Sequence, residues 1–230
     1  MLRRVLLCAV LLFIAGQAMG DERHLAPGFS ALPAGAKLVL MPGRIELLSM
    51  DTEGELQPMP EWSDAARRNF SDALLSDPRV ASLPSVKLAN EDVKPLEDVL
   101  ALHEAVARAI SDYQFGSTTL ATKAGKLDWS LGESVAPIRR RSGADYALFY
   151  DVRDSYATAG RKVLATAVTL LIGFNVVSAG RQTGYASLVD LRTGRVVWFN
   201  RLDRATGDLR APEGAAETLA ALLEDFPATR

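Results

Sequence analysis

Tyr146-Ala147-Leu148-Phe149-Tyr150-Asp151-Val152 is a short apolar, aromatic-rich run directly behind Gly143-Ala144-Asp145. Its length and composition are those of a β-strand. Gly143 stands where a left-handed residue closes a helix. The segment before it, Trp129 to Arg141, is therefore expected to be a helix burying Leu131, Val135 and Ile138, with Pro137 perturbing it. Downstream, Tyr185 to Leu191 and Arg195 to Leu202 flank Arg192-Thr193-Gly194, a hairpin signal in which Gly194 supplies a positive φ.

Upstream, Lys37 to Met41 and Arg44 to Leu48 are two apolar runs separated by Pro42-Gly43, either one strand broken by a bend or two strands. Residues 51–60 are polar, hold Pro58 and Pro60, and read as a loop. Trp62, Ala66, Phe70, Ala73 and Leu74 recur at helical spacing and predict a helix from Glu61 to Leu75, stopped by Pro78. Val80 to Leu88, interrupted by Pro84, reads as a strand. The clearest helix runs from Pro95 to Tyr113, with Leu96, Val99, Leu100, His103, Val106, Ala107 and Ile110 on one stripe. A last helix, Glu213 to Leu223, is expected to bury Ala216, Leu219, Ala220 and Leu223. This order predicts an α/β fold: a single mixed β-sheet covered by helices, with an apolar insertion between two strands.

The chain has 230 residues, 26 Lys+Arg against 28 Asp+Glu, and one cysteine. A formal charge of -2 gives no electrostatic reason to expect nucleic acid. A single cysteine excludes an intrachain disulfide framework and a thiolate-rich zinc site. Residues 1–20 form an export signal: Arg3-Arg4, an apolar run from Val5 to Gly16, then Ala18-Met19-Gly20. Cleavage after Gly20 places Asp21 at the mature start. Leu7 precedes Cys8 and most of the apolar run follows it, so lipidation there is not expected. Residues 21–36, with two prolines and two glycines, read as an extended lead-in, and 37–230 as one domain carrying the insertion 161–181.

No constellation for catalysis stands out. His24 lies in the lead-in, and His103, in the middle of an apolar stripe, reads as a core histidine. His103→Leu is expected to fold and, by removing a buried polar group, to gain stability. Asp145, Asp151, Asp154 and Asp190 are separated carboxylates without a histidine or metal motif to complete a site. No catalytic residue, metal or cofactor is expected. Arg139-Arg140-Arg141 is the densest basic run. It reads as three cations complementing the carbonyl end of a helix, or as the contact for an anionic partner: phosphate, lipid headgroups or an acidic glycan.

Gly143-Ala144-Asp145-Tyr146-Ala147-Leu148-Phe149 and, later, Leu188-Val189-Asp190-Leu191-Arg192-Thr193-Gly194-Arg195-Val196-Val197-Trp198 resemble a group of bacterial envelope proteins. The group includes the curli-secretion channel lipoprotein, the penicillin-binding-protein activator lipoproteins, the exopolysaccharide-export lipoprotein ring and the amino-terminal domain of the Tol translocation protein. The resemblance covers mainly residues 130–203. It implies an α/β domain that binds envelope machinery or oligomerises, without a shared active site. The expected function is that of a non-enzymatic, exported protein supporting assembly, secretion or maintenance of the envelope through protein–protein contacts. The alternative is a membrane-associated, ring-forming translocation component. Partners are then envelope proteins or further copies of the chain, and the location is the periplasm, in association with a membrane.

Val163 to Val177 contains no charge, and nine of its residues are Val, Leu, Ile or Phe. Burying one such side chain is worth about 1.5–3 kcal/mol, so something must cover the run. Its own sheet, a neighbouring subunit and lipid are the three candidates. A helix or tight helical hairpin bending at Gly173-Phe174-Asn175 is expected. Leu164, Val168, Leu170, Leu171, Ile172, Phe174 and Val176 are the expected membrane or subunit contacts.

Overall fold

A computed structural model describes residues 23–88, 90–172, 180–205 and 207–230, and its central strand is β5 (Tyr146–Ala157). The export signal, Phe174, Val176 and the 173–175 bend lie outside the described residues. Antiparallel to β5 along its full length runs β6 (Gly180–Asp190), and beyond it β7 (Val196–Arg204). The opposite side of β5 is shared by two strands in line. β1 (Leu38–Leu40) pairs with Tyr146–Leu148, and β2 (Arg44–Met50) pairs with Asp151–Ala157, both parallel. Both readings of residues 37–48 thus hold, since one path is broken at Met41-Pro42-Gly43. Gly43 is needed at that break because a Cβ there would overlap the ring of Tyr150. β3 (Leu56–Pro58) and β4 (Ser85–Lys87) extend the sheet beside β2 and β1, completing seven strands among the described residues.

Side chains alternate across these strands and build two apolar layers. On one face Leu38, Leu40, Leu148, Val152, Leu188 and Trp198 pack under α1 (Pro60–Ser76), α2 (Pro78–Ala81) and α7 (Pro212–Leu222). On the other, Val39, Ala147, Phe149, Val189 and Phe199 pack under α4 (Glu97–Tyr113) and α5 (Ala136–Ser142). The result is the single mixed sheet between helices that the sequence predicts. One helix, α6 (Ala159–Ile172), belongs to neither layer. It is the apolar insertion between β5 and β6.

Several boundaries move for identifiable reasons. Residues 51–60 are not wholly loop, because Leu56–Pro58 pairs with β2 as an exposed edge. Val80 is helical, since the Asp77 side chain accepts from the Arg79 N–H and starts α2 at Pro78; the strand begins only at Ser85. Ahead of α4, the short helix α3 (Asn90–Val93) and a 3-10 turn at Lys94–Leu96 take up Pro95. Pro137 lies in the first turn of α5, where it starts the helix and does not disturb it. Gly143 closes α5 at φ 62°, as its position predicts. In α7 the buried set is Ala215, Thr218, Leu219, Leu222 and Leu223, whereas Ala216 and Ala220 are exposed.

The described part of the lead-in, 23–36, is tied down at several points. Ala26 donates to the Val197 carbonyl at 3.0 Å, Phe199 donates to the His24 carbonyl at 3.0 Å, and Leu32 is buried. Residues 24–26 thereby cover the outer edge of β7, which would otherwise offer free pairing groups.

The β6–β7 turn is locked against the loop before α5. Gly194 has φ 73°, and a Cβ on it would overlap the carbonyl oxygen of Gly132. Gly194→Ala combines a left-handed strain with a backbone collision, so a loss of about 2–4 kcal/mol is expected. Denaturant unfolding checks this; a loss below about 0.5 kcal/mol contradicts the turn geometry.

Candidate functional site

α6 begins where β5 leaves the sheet. Thr158 Oγ1 accepts from the Arg161 N–H at 3.4 Å, and the Lys162 N–H donates to the Thr158 carbonyl at 3.0 Å. Arg161 reaches back and donates to the Asp51 carbonyl at 3.2 Å. That carbonyl belongs to a loop held by the Asp51 carboxylate, which accepts from the N–H groups of Glu53, Gly54 and Glu55, each at 2.9 Å. The foot of α6 is therefore fixed to the domain, while its outward face is not packed into it.

Leu170 and Leu171 are 82% and 83% exposed, Val163 70% and Leu164 41%. With Ala167, also exposed, they follow i, i+1, i+4, i+7, i+8 spacing and form one face. Val168 is half-buried on the inner side. Ile172 is helical, and the chain beyond it to 179 is outside the described residues. Of the three covers considered for this run, the described part of the sheet does not cover Leu170 and Leu171. Val163 and Ala167, which the expected contact set omitted, belong to the same face; the spacing alone carries that signal. Leaving the exposed parts of Val163, Leu164, Leu170 and Leu171 in water forfeits about 4–8 kcal/mol of burial.

The remaining surface of α6 is almost equally apolar. Its threonines satisfy themselves: Thr166 Oγ1 donates to the Lys162 carbonyl at 2.9 Å and Thr169 Oγ1 to the Ala165 carbonyl at 2.8 Å. Fourteen residues reach about 21 Å, short of the roughly 30 Å hydrocarbon core of a bilayer. Among the described residues no helix is long and apolar enough to cross a membrane.

Arg139, Arg140 and Arg141 occupy the last turn of α5, at the opposite end of β5 from α6. A twelve-residue strand is about 40 Å long, so the basic run and the apolar helix do not form one surface. Arg139 and Arg140 line a groove with Arg192 from the hairpin turn, a residue the sequence reading did not assign to a site.

His103 is buried. Its Nε2 and the Ser187 hydroxyl are 2.6 Å apart, and its ring stacks on Phe149 at 3.8 Å. Burial pushes its pKa down to about 3, so it is neutral at pH 7. Its described contacts are those of a core side chain. His24 is held as well, with Nδ1 3.0 Å from the Phe199 carbonyl oxygen.

The four carboxylates are likewise engaged. Asp145 Oδ2 accepts from the Lys37 N–H at 3.0 Å and Asp190 Oδ1 from the Arg192 N–H at 2.8 Å. Asp151 takes Arg44 Nε at 2.7 Å, yet burial outweighs that cation and raises its pKa. Asp154, also raised by burial, accepts from the Tyr156 hydroxyl at 2.6 Å and Gln182 Nε2 at 2.7 Å. Among the described residues no three His, Cys, Asp or Glu side chains gather as a metal site.

No family model matches the chain, and no curated protein matches it in sequence. Solved structures do. The chain is similar to the LpoB C-terminal domain from Salmonella enterica at 14% identity, covering 78% of this chain and 87% of that one, with a TM-score of 0.30. PelC from Paraburkholderia phytofirmans, solved as a dodecamer, matches at 16% identity over 84% and 90%, with a TM-score of 0.37. A lipoprotein from Neisseria meningitidis matches at 13% over 83% and 94%, with a TM-score of 0.34. These neighbours fall within the envelope group that residues 130–203 resemble. At such identities and scores the likeness concerns the path of the chain and not what it does.

Proposed function

We propose that this chain is an exported, non-enzymatic envelope protein that works as an assembly of its own copies, held together through α6. The observation that carries the reading is the exposed face of Val163, Leu164, Ala167, Leu170 and Leu171 on a helix whose foot is anchored to the domain. A helix that is apolar nearly all round is stable when surrounded. Protein surrounds it better than lipid for two reasons. Its described part, Ala159–Ile172, is too short to span, and beyond Lys162 it lacks the charged face that holds an amphipathic helix flat in a headgroup layer.

Charge at the foot favours a second copy as the occupant. Lys162 is exposed at the positive end of the helix dipole, where a cation is disfavoured. Next to it, in the Asp51 loop, Glu53 and Glu55 are exposed too. Copies set side by side bring the lysine of one against the glutamates of the next while their α6 helices gather. Such a head-to-tail contact closes into a ring where the rotation between copies allows it, and otherwise continues as a filament.

The test is a photo-crosslinking residue at position 170 of the full chain, expressed in a bacterium that exports it. The expected products begin at Asp21, fractionate with the envelope, and form a ladder at multiples of the mature mass. Crosslinks to lipid alone, or a product that keeps Met1 in the cytoplasm, contradict the proposal.

A further inference from the structure

The exposed apolar residues of α6 stand as two ridges and not as one seam. An α-helix turns about 100° per residue, so residues seven apart lie within about 20° of each other. Val163 and Leu170 therefore stack along one line, and Leu164 and Leu171 along a second, about 100° away. All four are exposed, Leu170 and Leu171 by more than four-fifths. Ala167, exposed as well, lies midway between the two lines, three or four residues from each of the four. Arg161, Ala165, Val168 and Thr169 are half-buried and occupy the opposite side of the helix. The ridges thus point away from the domain.

A helix that meets a single partner does so along a narrow seam, with large residues at its centre and charged ones on its flanks. On α6 the order is reversed. The centre is Ala167, and the flanks are large and apolar. One partner laid over Ala167 would leave the outer side of each ridge in water. Two partners, one to each ridge, cover both.

We infer that the α6 helices of about four or five copies close into one bundle, the Val163–Leu170 ridge of each lying on the Leu164–Leu171 ridge of the next. This arrangement rests on α6 being the contact between copies, as proposed above, and adds the pairing of its ridges and the number of copies. Copies related by rotation about one axis hold their helices parallel and at the same height, so Leu170 meets the Leu171 of the next copy. In a closed ring each helix sees its two neighbours along directions separated by the interior angle of the polygon. That angle is about 90° for four copies, about 108° for five and about 120° for six, and the ridges lie about 100° apart. Ala167 then faces the bundle axis, where its small side chain lets the helices approach to roughly 8–10 Å, and the domains stand outside. The contact of Lys162 with Glu53 and Glu55 of the neighbour is head-to-tail in the same sense.

The test places cysteines in the exported full chain, whose one native cysteine, Cys8, lies in the export signal. Leu170→Cys and Leu171→Cys, each expressed alone, are expected to give no disulfide on mild oxidation. Co-expressed, the two single variants are expected to give dimers. Both changes in one chain are expected to give a ladder that ends at about four or five copies. Dimers from either single variant alone, no dimer from the co-expressed pair, or a ladder running past about six copies overturns the arrangement. A photo-crosslinking residue at position 170 separates this failure from failure of the assembly itself. A photo-crosslinked ladder beside the wrong cysteine pattern overturns the ridge pairing alone, whereas single copies throughout overturn both.

Discussion

Leu170→Asp combined with Leu171→Asp is expected to turn the assembly into folded single copies. Both leucines are more than four-fifths exposed in the isolated chain, so their replacement costs the fold about 0.5 kcal/mol or less. In an assembled state the same positions lose water on every copy, and an unpaired carboxylate there costs several kcal/mol. About 4 kcal/mol per contact raises the dissociation constant roughly a thousandfold. Sedimentation together with thermal unfolding reads both quantities. A variant that unfolds would mean the leucines belong to the domain's own core, and one that stays assembled would mean that α6 is not the contact.

Acid is expected to destabilise the protein through His103, with a definite sign. The unfolded chain protonates this imidazole below its ordinary pKa of 6.5, whereas the native chain holds it neutral down to about 3. Between those values the unfolded state carries the extra proton, so native stability falls as pH falls, by about 1.4 kcal/mol per unit once well below 6.5. From pH 7 to pH 5 the loss is about 2 kcal/mol. Asp151 and Asp154, whose pKa values are raised in the native state, work in the opposite direction. The effect of His103 is therefore read as a difference between the parent and His103→Leu/Ser187→Ala, in which those carboxylates cancel. The double variant is expected to lose less stability over that interval by about 2 kcal/mol. Equal slopes would contradict the buried neutral imidazole. His103→Leu alone is expected to lose about 1–3 kcal/mol at pH 7, because the Ser187 hydroxyl, fully buried, loses its side-chain partner. This reverses the gain that the sequence alone suggests.

The difference between those two expectations marks where local reading stops. Phe149, Gly143 and Gly194 announce their structures through composition and backbone need, and each stands where its pattern places it. Ser187 lies 84 residues from His103 and nothing near either residue signals the pairing. Leu56–Pro58 carries no burial pattern because its strand is exposed and exists only through hydrogen bonds to β2. In α7 the apolar residues are dense enough that two faces fit equally well. Contact with α1 and the sheet then selects Ala215 and Leu222 over Ala216 and Ala220. For α6 the period is legible but the exposure is not, since whether a face is covered depends on what the rest of the chain places near it. The Arg192 guanidinium joins Arg139 and Arg140 only because the hairpin turn folds back onto the loop before α5.

The native mass of the exported protein, measured in buffer with and without a mild detergent, tests the central claim that α6 is buried between copies. The account predicts a discrete multiple of the mature chain that is the same in both conditions. A monomer in both conditions, or a species that forms only around detergent, would contradict it.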